Sequence, residues 1–333
     1  MSVDPPTFAD VEAAAARIVP FAFKTPLVEN ADLNRKLGAQ VLLKLETLQR
    51  TGSFKFRGAL NRIAKIPPAD RAKGVVAFSS GNHAQGVAAA AALFDVPALI
   101  VMPRDAPRAK LEGTKAYGAE IVFYDRAKDD REAIALALCE ERGATLVRPF
   151  DDPDIVAGQG TVGLEIAQDA AARGVALDAV LAPCSGGGLI GGIALAFSVL
   201  SPATRVVSVE LENYDGMRRS LAAGVRTAAP GGAPSIADGL MAPIPGEVPF
   251  AIAKRNLADT LTVSDSELLK AVAYAAQTLK LLVEPSGAAG LAALISGKCA
   301  VGGKAVAVVL TGANADLSTL VEACSQRGNH DAA

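Results

Sequence analysis

Gly74-Val75-Val76-Ala77-Phe78, Ala98-Leu99-Ile100-Val101-Met102 and Glu120-Ile121-Val122-Phe123-Tyr124 are three short, nearly continuous apolar runs. The alanine-rich stretch Asn82 to Leu93 separates the first two. The second gap holds Pro107 to Ala116, with a proline suited to a helix start. Asp130 to Arg142 follows as a third helix and Thr145-Leu146-Val147 as a fourth strand. Apolar strands separated by helices of this length predict a parallel sheet covered on both faces.

The same alternation continues on either side. Upstream, Val41 to Leu45 reads as a strand, and Thr7 with Asp10 caps a helix over Phe8 to Ile18. Pro20 to Leu27 is extended, and a helix begins after Lys55 and stops before Pro67-Pro68. Downstream, Asp154 to Arg173 reads as a helix. Strands Ala179 to Ala182, Arg205 to Val209 and Ala305 to Leu310 come next, with helices over Asp265 to Lys280 and Glu284 to Ser296. Gly224 to Glu247, rich in Gly and Pro, predicts a long excursion near the site.

The composition narrows the function. The 333 residues suffice for one large or two medium domains, and half are hydrophobic. A net charge of −2 without a basic block argues against nucleic acid or anionic membrane as partner. Four scattered cysteines and two histidines, His83 and His330, disfavour a zinc site. The amino terminus lacks a basic-then-apolar segment, and no apolar run is long enough to span a bilayer. A cytoplasmic protein is expected.

Ligands in open α/β sheets bind at the carboxyl ends of strands. Three such ends carry small polar residues: Ser79-Ser80-Gly81-Asn82-His83, Ser185-Gly186-Gly187-Gly188-Leu189 and Thr311-Gly312-Ala313-Asn314. The triple glycine between strand and helix suits a phosphate held by backbone N–H groups, or else permits close packing. Gly186-x-Gly188-x-x-Gly191 with Glu210 also matches a dinucleotide fingerprint, which keeps an NAD-dependent oxidoreductase open. That reading leaves Thr51-Gly52-Ser53-Phe54-Lys55-Phe56-Arg57-Gly58 unexplained. A lysine between two phenylalanines is a solvated residue packing its stem, or an amine with a lowered pKa.

Taken together, a phosphate cradle, an amine in an apolar slot, an asparagine after a strand and a hydroxyl after the last strand resemble one family. It is the threonine/serine dehydratase and serine racemase branch of the fold-type II pyridoxal-phosphate enzymes. Ser53 to Ala59, Ser79 to Gly86, Ala157 to Thr161 and Ile236 to Gly239 are similar to family segments. The resemblance runs from about Phe8 to Leu320. It implies two open, mostly parallel sheets in two lobes. Residues 1–51 and 151–333 would form a large cofactor-binding domain and 52–150 a small mobile one.

The resemblance also implies roles. Lys55 carries pyridoxal 5′-phosphate as a Schiff base beside Phe54, then removes the substrate's α-proton. Asn82 meets the phenolic oxygen, unless it is only a helix cap. Ser185, where the family usually has glycine, and Gly186 to Leu189 hold the phosphate. Thr311 meets the pyridine nitrogen. Ser79, Ser80, Gly81, Asn82 and His83 hold the substrate carboxylate, and Ser80 is also placed to return a proton on the face opposite Lys55. Arg131 aligns with an arginine able to meet a second carboxylate, or pairs with neighbouring acids. Glu210 and the Tyr214 position match part of a divalent-cation site, but Gly216 stands where the second acid belongs.

The function these residues imply is dehydration and deamination of L-threonine or L-serine to a 2-oxo acid and ammonia. The absence of a regulatory segment after the last motif leads to the expectation of a catabolic role. Serine racemase and threo-3-hydroxyaspartate dehydratase use the same site, and a non-catalytic cofactor carrier is a further alternative. A homodimer or tetramer is expected.

Overall fold

The computed structural model describes residues 4–79, 81–106 and 108–328. Pro107, expected to open a helix, lies outside them, and that helix runs Arg108–Lys115. Among the described residues the strands are β1 (Leu27–Glu29), β2 (Gln40–Leu45), β3 (Val75–Phe78), β4 (Ala98–Pro103), β5 (Glu120–Tyr124), β6 (Thr145–Leu146), β7 (Ala179–Pro183), β8 (Arg205–Leu211), β9 (Asp259–Val263) and β10 (Ala305–Leu310).

These strands form two sheets, in the orders β1-β2-β10-β7-β8-β9 and β5-β4-β3-β6. Only the β1–β2 pair is antiparallel. Strand side chains alternate between faces, and both faces here are apolar. Val41, Leu43, Val306 and Val308 enter one core, whereas Leu42, Ala307 and Val309 enter another. In the smaller sheet Val75, Ala77, Ile100 and Met102 face one core, and Val76, Phe78, Leu99 and Val101 the other. The continuous apolar runs therefore mark strands buried on both sides.

The helix Pro153–Ala172 packs against Lys55–Ala64 and Gly188–Leu200. Asp152 caps it, accepting hydrogen bonds from the N–H groups of Asp154 and Ile155. A Cβ at Gly158 would lie 2.7 Å from Gly58 Cα, and one at Gly192 would lie 2.5 Å from the Gly160 nitrogen. Only glycine allows these backbones to approach so closely. The crossing seats the start of the Lys55 helix.

A buried charge network ties the same helices to the larger sheet. Arg57 donates to both Glu46 oxygens at 2.8 Å and to Glu165 at 2.6 and 2.9 Å. Lys44, on β2, donates to Glu165 at 2.6 Å and to the Thr25 carbonyl at 2.7 Å. Arg57, Lys44 and Glu46 have no exposed surface. Burial opposes the charge on Arg57, but Glu46 and Glu165 more than offset it and raise its pKa.

Breaking one partner of a buried ion pair leaves an uncompensated charge. Glu46→Gln is therefore expected to lower unfolding stability by about 3 kcal/mol in urea titrations. A loss below about 1 kcal/mol, the scale of an exposed pair, would contradict the structural weight assigned to this network.

Candidate active site

A cavity of about 460 Å³ lies at the carboxyl ends of β3, β7 and β10. It brings Phe54, Lys55, Ser79, Gly81, Asn82, His83, Arg131, Ser185, Gly186, Gly187, Gly188, Leu189 and Thr311 together. Ser80 lies outside the described residues. β7 and β10 present their carboxyl ends on one side of the larger sheet, and the carboxyl end of β3 in the smaller sheet opens on the same cavity.

Lys55 opens its helix, and its two phenylalanine neighbours diverge. Phe56 is fully buried in the core, whereas Phe54 lines the cavity with its ring centroid 5.3 Å from Lys55 Nζ. The Lys55 ammonium donates to the Pro149 carbonyl at 2.7 Å. Burial pushes its pKa down to about 8. At pH 7 roughly a tenth of such amines are neutral, against about one in three thousand for an ordinary lysine.

His83 is buried, and its Nε2 donates to the Val147 carbonyl at 2.9 Å. Burial and the nearby Lys55 cation lower its pKa to about 3, so the ring is neutral. Its Nδ1 is a buried acceptor without a partner among the described residues. A neutral ring does not attract a carboxylate by charge. The groups beside it that could attract an anion are the backbone N–H groups that start the Asn82–Ala92 helix.

Asn82 is the first helical residue, with Gly81 at the cap position. The helix-cap alternative for Asn82 is therefore replaced. Its amide donates to Glu284, and its oxygen accepts from Asn314 at 2.8 Å. Glu284, which the sequence marks only as part of a helix opening, lines the cavity. Burial raises its pKa, with opposing help from Lys110.

Gly187 adopts a φ of 93°, a conformation that favours glycine. A Cβ at Gly186 would fall 2.2 Å from the Phe150 ring. Packing thus accounts for missing side chains, and the first turn of Gly188–Leu200 leaves N–H groups free of intrahelical partners. The packing and anion-cradle explanations coexist. Ser185 uses its hydroxyl oxygen to accept from the Ala242 N–H at 3.0 Å.

Arg131 faces the cavity with its guanidinium carbon 5.5 Å from the Phe78 ring centroid. The expected pairing with neighbouring acids is not found among the described residues. Arg148 takes Glu132 instead, and Asp130 caps the helix Arg131–Arg142.

Glu210 does not line the cavity. Both its oxygens accept backbone N–H groups at 2.8 Å, from Met217 and Arg218, at the start of Gly216–Ala223. Burial raises its pKa to about 7. Asp215 is paired with Arg218 and Arg219. Two backbone N–H groups thus orient Glu210 away from the cavity, and nothing among the described residues supports a cation beside it. Among the described residues no trio of His, Cys, Asp or Glu stands ready to ligate a metal.

The chain belongs to the pyridoxal-phosphate dependent enzyme family, whose model matches residues 18–312. It is 45% identical to an L-threo-3-hydroxyaspartate ammonia-lyase of Pseudomonas sp. over 93% of this chain and 96% of that one. Among solved structures, a threonine deaminase from T.th. has a TM-score of 0.88 and 44% identity, covering 94% of this chain and 99% of that one. Maize serine racemase has a TM-score of 0.90 and 35% identity, covering 99% and 100%. No described helix is long and apolar enough to cross a membrane. The cavity fits the family's cofactor. It offers a buried amine of lowered pKa, a helix N-terminus and the orphaned Nδ1 of His83.

Reductive trapping of a small neutral aldehyde on Lys55 tests the amine. Deprotonation frees the nucleophile, so the labelling rate should rise with pH and level off above about 8. A rate still climbing near pH 10 would indicate an ordinary lysine.

Proposed function

We propose that the chain is a pyridoxal-phosphate-dependent ammonia-lyase for a β-hydroxy amino acid with a second carboxylate, threo-3-hydroxyaspartate. The observation that carries this reading is Arg131, half-buried on the cavity wall and without an ion pair among the described residues. A guanidinium in that state suits bidentate recognition of a carboxylate. The 45% identical hydroxyaspartate ammonia-lyase supports it. L-threonine or L-serine, the substrates inferred from sequence, become a second reading, favoured by the 44% identity to a threonine deaminase.

The cofactor, when bound, supplies an electron sink that acidifies the substrate's α-carbon. Lys55 would anchor it, and the freed Nζ would take up the α-proton. The Pro149 carbonyl fixes one Nζ hydrogen and so orients the amine. Backbone N–H groups of Gly186 to Leu189 would hold the phosphate beside the Ser185 hydroxyl. The Asn82 amide, which donates to Glu284 here, would meet the phenolic oxygen, and Thr311 would offer the ring nitrogen an uncharged hydroxyl. The start of the Asn82–Ala92 helix holds the α-carboxylate, and Arg131 holds the distal one. The β-hydroxyl would leave with a proton as water, and hydrolysis, which takes one water back, would give oxaloacetate and ammonia. Residues 52–150 act as the small lobe that excludes water during this sequence. The racemase alternative depends on Ser80 and stays an expectation.

Arg131→Met is expected to lower kcat/KM for threo-3-hydroxyaspartate about a hundredfold, as loss of a desolvated charge partner does. Turnover of serine or threonine should change by less than about threefold, because neither has a second carboxylate to lose. Equal losses on all three substrates would overturn the assignment of Arg131. Borohydride should bleach the cofactor band and label Lys55. Failure of both would remove the cofactor chemistry altogether.

A further inference from the structure

Lys110 and Asp238 are among the cavity residues this mechanism leaves unused. Lys110 belongs to the helix Arg108–Lys115, which follows β4 of the smaller sheet, and is 8% exposed. Asp238 opens a short 3-10 turn within the excursion between β8 and β9 of the larger sheet. The Lys110 ammonium donates to Asp238 at 2.7 Å. Both residues line the cavity, so the pair spans it from one sheet's connections to the other's.

The Asp238 segment is held firmly on its own side. Gly239 N–H donates to the Ser286 hydroxyl and Ala242 N–H to the Ser185 hydroxyl, each at 3.0 Å. Ser235 donates to Asp265 at 2.5 Å. Ser185 belongs to the glycine cradle, so the strap from Ser235 to Ala242 is tied directly to the phosphate loop. Across the cavity its ion-pair anchor is Lys110. The Lys110 stem lies on the carboxylate loop: a Cβ at Gly81 would sit 3.3 Å from its Nζ and its Cδ.

We propose that the Lys110–Asp238 ion pair latches the strap over the cavity, making both residues positioning residues that keep bulk solvent from the bound cofactor. An exposed ion pair would be too weak for this. The Asp238 side chain is 40% exposed, but Lys110 is nine-tenths buried with Glu284 as the other acid near it, so separating it from Asp238 removes a partner that little water can replace, and the closed arrangement is favoured. The glycine at 81 lets the lysine stem lie flat enough to reach. This inference rests on family membership alone and holds whichever β-hydroxy amino acid is the substrate.

The test uses the loaded enzyme and a small nucleophile. Hydroxylamine strips bound pyridoxal phosphate, and the loss of its absorbance band reports access rather than turnover. Lys110→Met and Asp238→Asn should each raise the stripping rate about fivefold, and the double variant no more than either alone, as expected for one coupled interaction. The exchanged pair Lys110→Asp with Asp238→Lys should return towards the wild-type rate. If Lys110→Met does not load cofactor, Lys110→Arg, which should keep the wild-type rate, takes its place beside Asp238→Asn. Multiplicative effects in the double variant, or a wild-type rate in Asp238→Asn, would overturn the latch. A rise in Lys110→Met with no change in Asp238→Asn would likewise overturn it and leave Lys110 a ligand contact.

Discussion

The site depends on how the structure distributes buried positive charge. Lys44 and Arg57 share Glu46 and Glu165, and the group is close to neutral as a set. Lys55, two residues before Arg57, forms no ion pair among the described residues; its polar partner is a carbonyl. Glu46 and Glu165 therefore hold the arginine charged against its burial, whereas burial without an acid lowers the pKa of the lysine. One turn of helix thus carries a structural cation and a chemical amine, distinguished by whether an acid accompanies them. Placing an acid beside Lys55 would raise its pKa and remove the distinction.

The connector from β6 to the helix Pro153–Ala172 gathers much of the remaining organisation. Val147 accepts from His83, Pro149 accepts from Lys55, and Phe150 backs Gly186. Asp151 accepts from the Val248 N–H at 3.0 Å, and Asp152 caps the long helix. Nearly consecutive residues thus touch the histidine, the amine and the glycine cradle. A displacement of this connector would disturb all three together, which explains why its backbone is pinned at both ends.

Much of the fold was legible because its strands are buried on both faces, so Val75 to Phe78 and Val306 to Leu310 stand out as unbroken apolar runs. β9 was missed because Asp259-Thr260-Leu261-Thr262-Val263 is a half-exposed edge strand, with the polarity of a loop. The residues that meet at the cavity were legible as small polar clusters after strands. The Lys110–Asp238 pair was not, since 128 residues separate its members and neither lies in a distinctive pattern. Glu210 shows a different limit: its position after a strand fits several ligands, and the two backbone N–H groups it accepts appear only in the folded chain.

The meeting of Gly58 and Gly158 has a mechanical consequence. Most helix pairs are separated by a layer of interdigitated side chains, along which small sliding movements are tolerated. Here the two backbones touch, and no such layer exists at the crossing. Translation of one helix past the other would drive a neighbouring side chain into main chain, whereas turning about the contact would not. The crossing is a pivot rather than a sliding surface. Lys55, less than one turn from it, stands close to the axis, where rotation displaces the amine least.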